Sequence, residues 1–109
     1  MKSSLSKNAI IGILGGGQLG RMLAISASRL GFKSHIYDPD QTAPGSQVST
    51  FTTAAPYNDI NALTNFAKSV DIVTYEFENI PTLALDAIEN YVSIFPSRNA
   101  LYTSQDRLN

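Results

Sequence analysis

The stretch AIIGILGGGQLGRM, Ala9 to Met22, decides how this chain folds. An apolar run from Ala9 to Leu14 leads into Gly15-Gly16-Gly17-Gln18-Leu19-Gly20, and helical spacing begins at Gln18. Read as G-x-G-x-x-G on Gly15, Gly17 and Gly20, the pattern joins a buried strand to a helix through a turn that side chains would obstruct. Gly15 permits the tight turn, Gly17 lets backbone N–H groups approach an anion, and Gly20 lets the helix lie close to the first strand. Gly16, Gln18 and Leu19, set between those glycines, decide what the loop touches.

Outward from this stretch, Leu19, Met22, Leu23, Ile25, Ala27 and Leu30 predict a helix over Gln18 to Leu30, stopped by Gly31. Lys33 to Tyr37 reads as a short strand that ends at Asp38-Pro39, where proline disfavours further pairing. Asp40 to Pro56 reads mostly as loop, with one weak strand at Val48 to Thr52. Asn58 or Asp59 is placed to cap a helix whose apolar positions are Ile60, Leu63, Phe66 and Ala67, ending near Ser69. Asp71 to Tyr75 predicts a buried strand, Thr82 to Asn90 a helix, Val92 to Phe95 a last strand, and Ser97 the cap of a final helix through Ala100, Leu101 and Leu108. This alternation is the pattern of an open parallel α/β sheet with right-handed crossovers.

Composition narrows the function classes. The 109 residues are 43% hydrophobic and 16% charged, enough for the core of one small domain. Eight Lys and Arg stand against nine Asp and Glu, a formal charge of -1 without clusters, so there is no electrostatic footprint for nucleic acid or an anionic membrane. Without Cys there is neither a disulfide framework nor a thiolate metal site, and the single His35 cannot build a zinc site alone. The polar segment Met1 to Asn8 and the short apolar run after it do not make a secretory signal, and no segment approaches the roughly 20 apolar residues of a membrane span. A soluble, cytoplasmic protein with a small-molecule partner is expected. The sequence stops at Asn109 inside a continuing helical pattern, as a piece of a longer protein would.

On the residues alone, the glycine loop supports more than one reading. A dinucleotide would set its pyrophosphate on the turn and its ribose on Asp38, at the expected distance past Gly20. Alternatively, all three glycines serve only turning and packing. Gln18 offers a donor and an acceptor to a polar ligand, or is a solvated helix-start residue. Arg21 is placed to neutralise a phosphate, or is simply exposed. A second constellation, Tyr75-Glu76-Phe77-Glu78-Asn79, follows the buried strand at the sheet edge where open α/β folds bind ligands. Its carboxylates and amide can accept hydrogen bonds from an amine or from ribose hydroxyls. Glu76, nearest the strand end, is the better candidate, whereas Glu78 and Asn79 read equally as an acidic surface loop before Pro81. His35 and the tyrosines Tyr37, Tyr57, Tyr91 and Tyr102 read as packing residues.

Three strings in order, GILGGGQLGRM (Gly12 to Met22), DIVTYEFEN (Asp71 to Asn79) and QDRL (Gln105 to Leu108), resemble the N-terminal part of the 5-(carboxyamino)imidazole ribonucleotide synthases. These are the ATPase subunits of bacterial phosphoribosylaminoimidazole carboxylase, ATP-grasp ligases of purine biosynthesis. The resemblance covers nearly the whole chain. It implies that residues 1–109 form a pre-ATP-grasp domain, a Rossmann-like open parallel sheet with helices on both faces that binds no dinucleotide. For the full-length enzyme it implies ATP with Mg2+, and aminoimidazole ribonucleotide and bicarbonate as substrates joined through carboxyphosphate, and it allows a homodimer. Substrate contacts would fall on Gln18, Leu19 and Glu76, with Gly16, Gly17, Arg21, Glu78 and Asn79 as further loop residues. Catalytic, nucleotide-binding and metal residues would lie outside this piece, which alone would be inactive, and Asp38 becomes a plain strand-end residue. Two other functions fit the residues without the resemblance: an NAD-dependent oxidoreductase domain and a non-catalytic nucleotide-sensing module.

Overall fold

Eight elements follow the sequence in order in a computed structural model of the chain, which describes residues 8–75 and 80–95. They are β1 (Ile10–Leu14), α1 (Gln18–Arg29), β2 (Lys33–Asp38), a 3-10 turn (Pro44–Gln47), β3 (Phe51–Ala54), α2 (Ile60–Ser69), β4 (Ile72–Tyr75) and α3 (Thr82–Glu89). The four strands form one parallel sheet in the order β3-β2-β1-β4, so β1 is central and paired on both sides. A central parallel strand is covered on both faces, which is why β1 carries an almost unbroken apolar run.

Side chains alternate across a strand, so Ile13 and Leu14, both fully buried, point into different cores. Leu14, Tyr37 and Tyr75 pack with Leu63 and Phe66 of α2 and Ile88 of α3. On the other face Ile13 and Ile36 pack with Ala24 of α1. The α1 core is smaller, because a single helix and the 3-10 turn cover that side. Helix ends follow the expected chemistry. Asp59 caps α2, its carboxylate accepting from the Ala62 N–H at 3.0 Å. Past α1, Gly31 takes φ +90°, and the Gly31 and Phe32 N–H groups return to the Ser28 and Ala27 carbonyls, the paired hydrogen bonds of a glycine-terminated helix.

Two sequence expectations are corrected. The weak strand at Val48 to Thr52 is displaced: Pro44 starts a 3-10 turn, Val48 packs on the α1 core, and the strand begins at Phe51. Its register is imposed by β2, with Thr52 opposite Ile36, and not by its own apolar pattern. Val92 to Phe95 forms a single parallel bridge, Val73 to Ile94, instead of a strand. Val73 N–H donates to the Ser93 carbonyl at 3.0 Å and Phe95 N–H to the Val73 carbonyl at 2.7 Å, with nothing further to extend the ladder among the described residues. The helix expected after Ser97 lies outside the described residues. Among those described, no helix is long and apolar enough to cross a membrane.

His35 is a packing residue, as its place in a strand suggested. It stands edge-on to Phe66 at 5.0 Å, with Nε2 2.7 Å from Thr53 Oγ1 and Nδ1 3.1 Å from Ser69 Oγ. Ser69 has one hydroxyl hydrogen, and it goes to the Phe66 carbonyl at 2.8 Å. That assigns the proton to Nδ1, which donates to Ser69, while Thr53 donates to Nε2. Burial lowers the His35 pKa below its ordinary 6.5. The unfolded chain therefore binds the proton more readily, and stability contributed by neutral His35 is present above about pH 6.5 and lost as pH falls through the lowered value. Urea unfolding between about pH 7 and about pH 5 is expected to show a steeper loss of stability for the native chain than for His35→Gln; parallel curves would contradict it.

Candidate functional site

The glycine loop sits at the C-terminal ends of β1, β2 and β4, the edge where open parallel sheets present ligand sites. Gly15 makes the turn at φ +107°, and its N–H donates to the Tyr37 carbonyl at 2.8 Å, carrying the β1–β2 ladder one residue into the loop. Gly20 brings α1 against that turn: a Cβ there would lie 2.1 Å from the Gly15 carbonyl oxygen. Gly17 is the N-cap of α1 and supplies no side-chain cap, and the first turn holds no acidic residue. The first hydrogen bond of the helix is Arg21 N–H to the Gly17 carbonyl at 2.9 Å. The N–H groups that precede it form the positive end of the helix dipole, open to an anion.

Gln18 and Leu19 project from this helix start, both exposed, with Leu19 at 47%. An exposed leucine beside an exposed carboxamide gives the loop one apolar and one hydrogen-bonding surface for a ligand. Arg21 is half-buried on the same turn, and its guanidinium donates to Gln47 Oε1 at 3.3 Å. That contact ties α1 to the 3-10 turn. Across the sheet edge, Tyr75 pairs with Leu14, so the last residue of β4 and the last residue of β1 lie side by side. Glu76, Glu78 and Asn79 follow Tyr75 but lie outside the described residues.

Gly16, expected among the loop residues around a ligand, is itself held by the fold. It is buried, and a Cβ there would stand 3.0 Å from Ala43 Cβ and 3.1 Å from Ile36 Cγ2. Its N–H donates to Asp38 Oδ2 at 2.7 Å, and its carbonyl accepts from the Gly45 N–H at 2.6 Å. Asp38 is likewise more than a strand-end residue. Its second oxygen accepts from the Asp40 N–H at 2.8 Å, so each carboxylate oxygen already serves a backbone donor. The carboxylate that a dinucleotide ribose would meet is thus already engaged by two backbone N–H groups. Sequence reasoning passed over Gly45 and the Asp38–Gly16 bond. The available signal was the run Asp38-Pro39-Asp40, a turn in which a carboxylate bonds the backbone two residues on.

A cavity of about 310 Å³ opens elsewhere, on the α1 face, between Leu23 of α1, its C-cap Leu30, Ile11, Ile72 and Phe95. None of its lining residues is charged, so it has little to orient a ribonucleotide. Among the described residues no group of three His, Asp or Glu side chains is arranged to hold a metal ion.

A parallel α/β sheet with an uncapped glycine-loop helix start, flanked by exposed Gln18 and Leu19, defines a Rossmann-like domain whose strand-end carboxylate bonds its own glycine loop. The chain belongs to the ribonucleotide synthetase preATP-grasp domain family, which it matches over residues 8–105. It is 48% identical over 104 residues to the bifunctional purine synthesis protein purC/E of Dictyostelium discoideum, covering 95% of this chain and 10% of that protein. It is 44% identical over 106 residues to the N5-carboxyaminoimidazole ribonucleotide synthase of Brucella melitensis, covering 97% of this chain and 29% of that one. The crystal structure of the Aspergillus clavatus N5-carboxyaminoimidazole synthase in complex with ADP and 5-aminoimidazole ribonucleotide superposes with a TM-score of 0.73 at 36% identity, over 89% of this chain and 26% of that one. The chain thus spans less than a third of each of these relatives.

Proposed function

We propose that residues 1–109 are the N-terminal substrate-holding domain of an ATP-dependent ligase. The ligase carboxylates aminoimidazole ribonucleotide with bicarbonate to N5-carboxyaminoimidazole ribonucleotide in purine biosynthesis. The observation that carries this reading is the glycine loop itself: an open, uncapped helix start beside exposed Gln18 and Leu19, in a chain similar to a synthase solved with 5-aminoimidazole ribonucleotide. In this reading Gln18 donates to and accepts from the ribonucleotide, Leu19 packs on its apolar surface, and the positive end of α1 favours its anionic groups. Glu76 accepts a hydrogen bond from the amine or a ribose hydroxyl, which orients the nucleophilic nitrogen. Gly16, Gly17, Arg21, Glu78 and Asn79 complete the surroundings of the site.

ATP and Mg2+ are assigned to further domains of the same enzyme, in keeping with the much longer Aspergillus clavatus synthase solved with ATP, of which this chain covers 26%. This domain contributes orientation of one substrate, and alone it turns nothing over. Titrating aminoimidazole ribonucleotide into the full-length protein encoded with this chain is expected to give saturable binding by calorimetry, and NAD none. Saturable NAD binding that Asp38→Ala abolishes would replace this reading with that of an oxidoreductase.

A further inference from the structure

We infer that Asp38, together with Gly45, is a positioning element for the substrate loop: a two-point clamp on the Gly16 peptide that aims Gln18 and Leu19. The inference rests on the proposed ribonucleotide site and goes beyond it to residues that do not themselves touch the ligand. Three observations carry it. First, both polar groups of Gly16 are fixed from outside the loop, its N–H by Asp38 Oδ2 at 2.7 Å and its carbonyl by the Gly45 N–H at 2.6 Å. Second, the walls around Gly16 leave no alternative seat, with Ala43, Ile36 and Asp38 all within 3.4 Å of where a Cβ would be. Third, α1 has no side-chain cap of its own at Gly17, so the loop's orientation has to be supplied by a neighbouring element.

The clamp is itself anchored. Asp38 is the last residue of β2, its carbonyl accepts from the Ala55 N–H at 3.2 Å, and its Oδ1 is held by the Asp40 N–H at 2.8 Å. Gly45 lies in the 3-10 turn that Arg21 ties to α1 through Gln47. A Cβ on Gly45 would stand 2.8 Å from Ile36 Cδ1 and 3.1 Å from the Gly16 oxygen, so this side of the clamp also depends on close approach. A carboxylate bonded to a backbone N–H near the start of α1 is favoured by the helix dipole, and the bond is charge-assisted.

The test is steady-state kinetics of the full-length protein with four variants, Gln18→Ala, Asp38→Ala, Asp38→Asn and Gly45→Ala. Loss of loop order lowers the fraction of protein competent to bind, so the KM for aminoimidazole ribonucleotide is expected to rise about tenfold in Asp38→Ala, with the KM for ATP unchanged. Gly45→Ala, which disturbs the other anchor, is expected to show the same split between the two substrates. Asp38→Asn keeps one carbonyl acceptor and is expected to recover part of the loss. A purely structural Asp38 would lower the Tm and leave the ribonucleotide KM where it was, and that result overturns the clamp. If Gln18→Ala raises the ribonucleotide KM while neither Asp38→Ala nor Gly45→Ala does, the site stands and the clamp falls. If Gln18→Ala is silent, the site reading fails and takes the clamp with it. Should Asp38→Ala fail to fold, Gly45→Ala and Asp38→Asn decide the matter by the same KM split.

Discussion

Gly20→Ala is expected to cost this domain a large part of its stability. The added methyl would lie 2.1 Å from the Gly15 carbonyl oxygen, a backbone atom in the turn that starts α1. No rotamer relieves such a contact, so α1 has to lift away from β1, and the core of Ile13, Ala24 and Ile36 opens with it. A penalty of about 3 kcal/mol or more is expected, against a total of about 5–15 kcal/mol for a domain of this size. Gly12→Ala provides the comparison. There the nearest obstruction is Phe66 Cζ at 2.8 Å, the far end of a side chain that can yield slightly. Thermal unfolding should rank Gly20→Ala well below Gly12→Ala, and equal Tm values would show that the close approach at Gly20 is not what limits the fold.

Glu76→Ala is expected to have the largest effect on activity of any single change to this domain. In the proposed site its carboxylate accepts from the amine or ribose of the ribonucleotide, and hydrogen bonds to a charged group contribute about 1.5–3 kcal/mol. Their loss corresponds to roughly a 10- to 150-fold fall in kcat/KM for aminoimidazole ribonucleotide in the full-length protein. ATP binding should be unaffected, because Glu76 is assigned no nucleotide contact. Glu76→Gln keeps one acceptor and loses the charge, so an intermediate value is expected. Unchanged ribonucleotide kinetics in Glu76→Ala would remove the residue from the site.

How far the sequence could be read depended on the range of the interaction involved. α2 was legible to the residue at its far end, Ser69, because its apolar spacing and the Asp59 cap are local signals. The start of α1 at Gln18 and its stop at Gly31 were legible for the same reason. β3 was misplaced because Val48 is apolar for the sake of the α1 core, whereas β3 itself is a mostly exposed edge strand chosen by its pairing with β2. The strand expected at Val92 to Phe95 had a suitable composition, yet only Ile94 bridges Val73 among the described residues.

The candidate site divides in the same way. Gln18 and Leu19 were identifiable because a G-x-G-x-x-G pattern between a strand and a helix fixes where the helix begins, and hence which side chains flank its open N–H groups. Gly16 looked like a residue that meets a ligand, and Asp38 like either a ribose acceptor or a bystander. Neither reading anticipated that the two are bonded to each other at 2.7 Å across 22 positions of sequence.

By itself, then, the sequence determined the parallel α/β class, the glycine turn, the helix starts and stops, and the side chains offered at the loop. Backbone sterics, capping and hydrophobic periodicity act over a few residues and leave their mark on composition. Only the tertiary structure decided what holds that loop in place. The Asp38–Gly16–Gly45 clamp joins the end of β2, the turn after β1 and the 3-10 turn, segments that become neighbours only when β1 and β2 pair in register and the Asp40–Val48 connection folds back over the helix start.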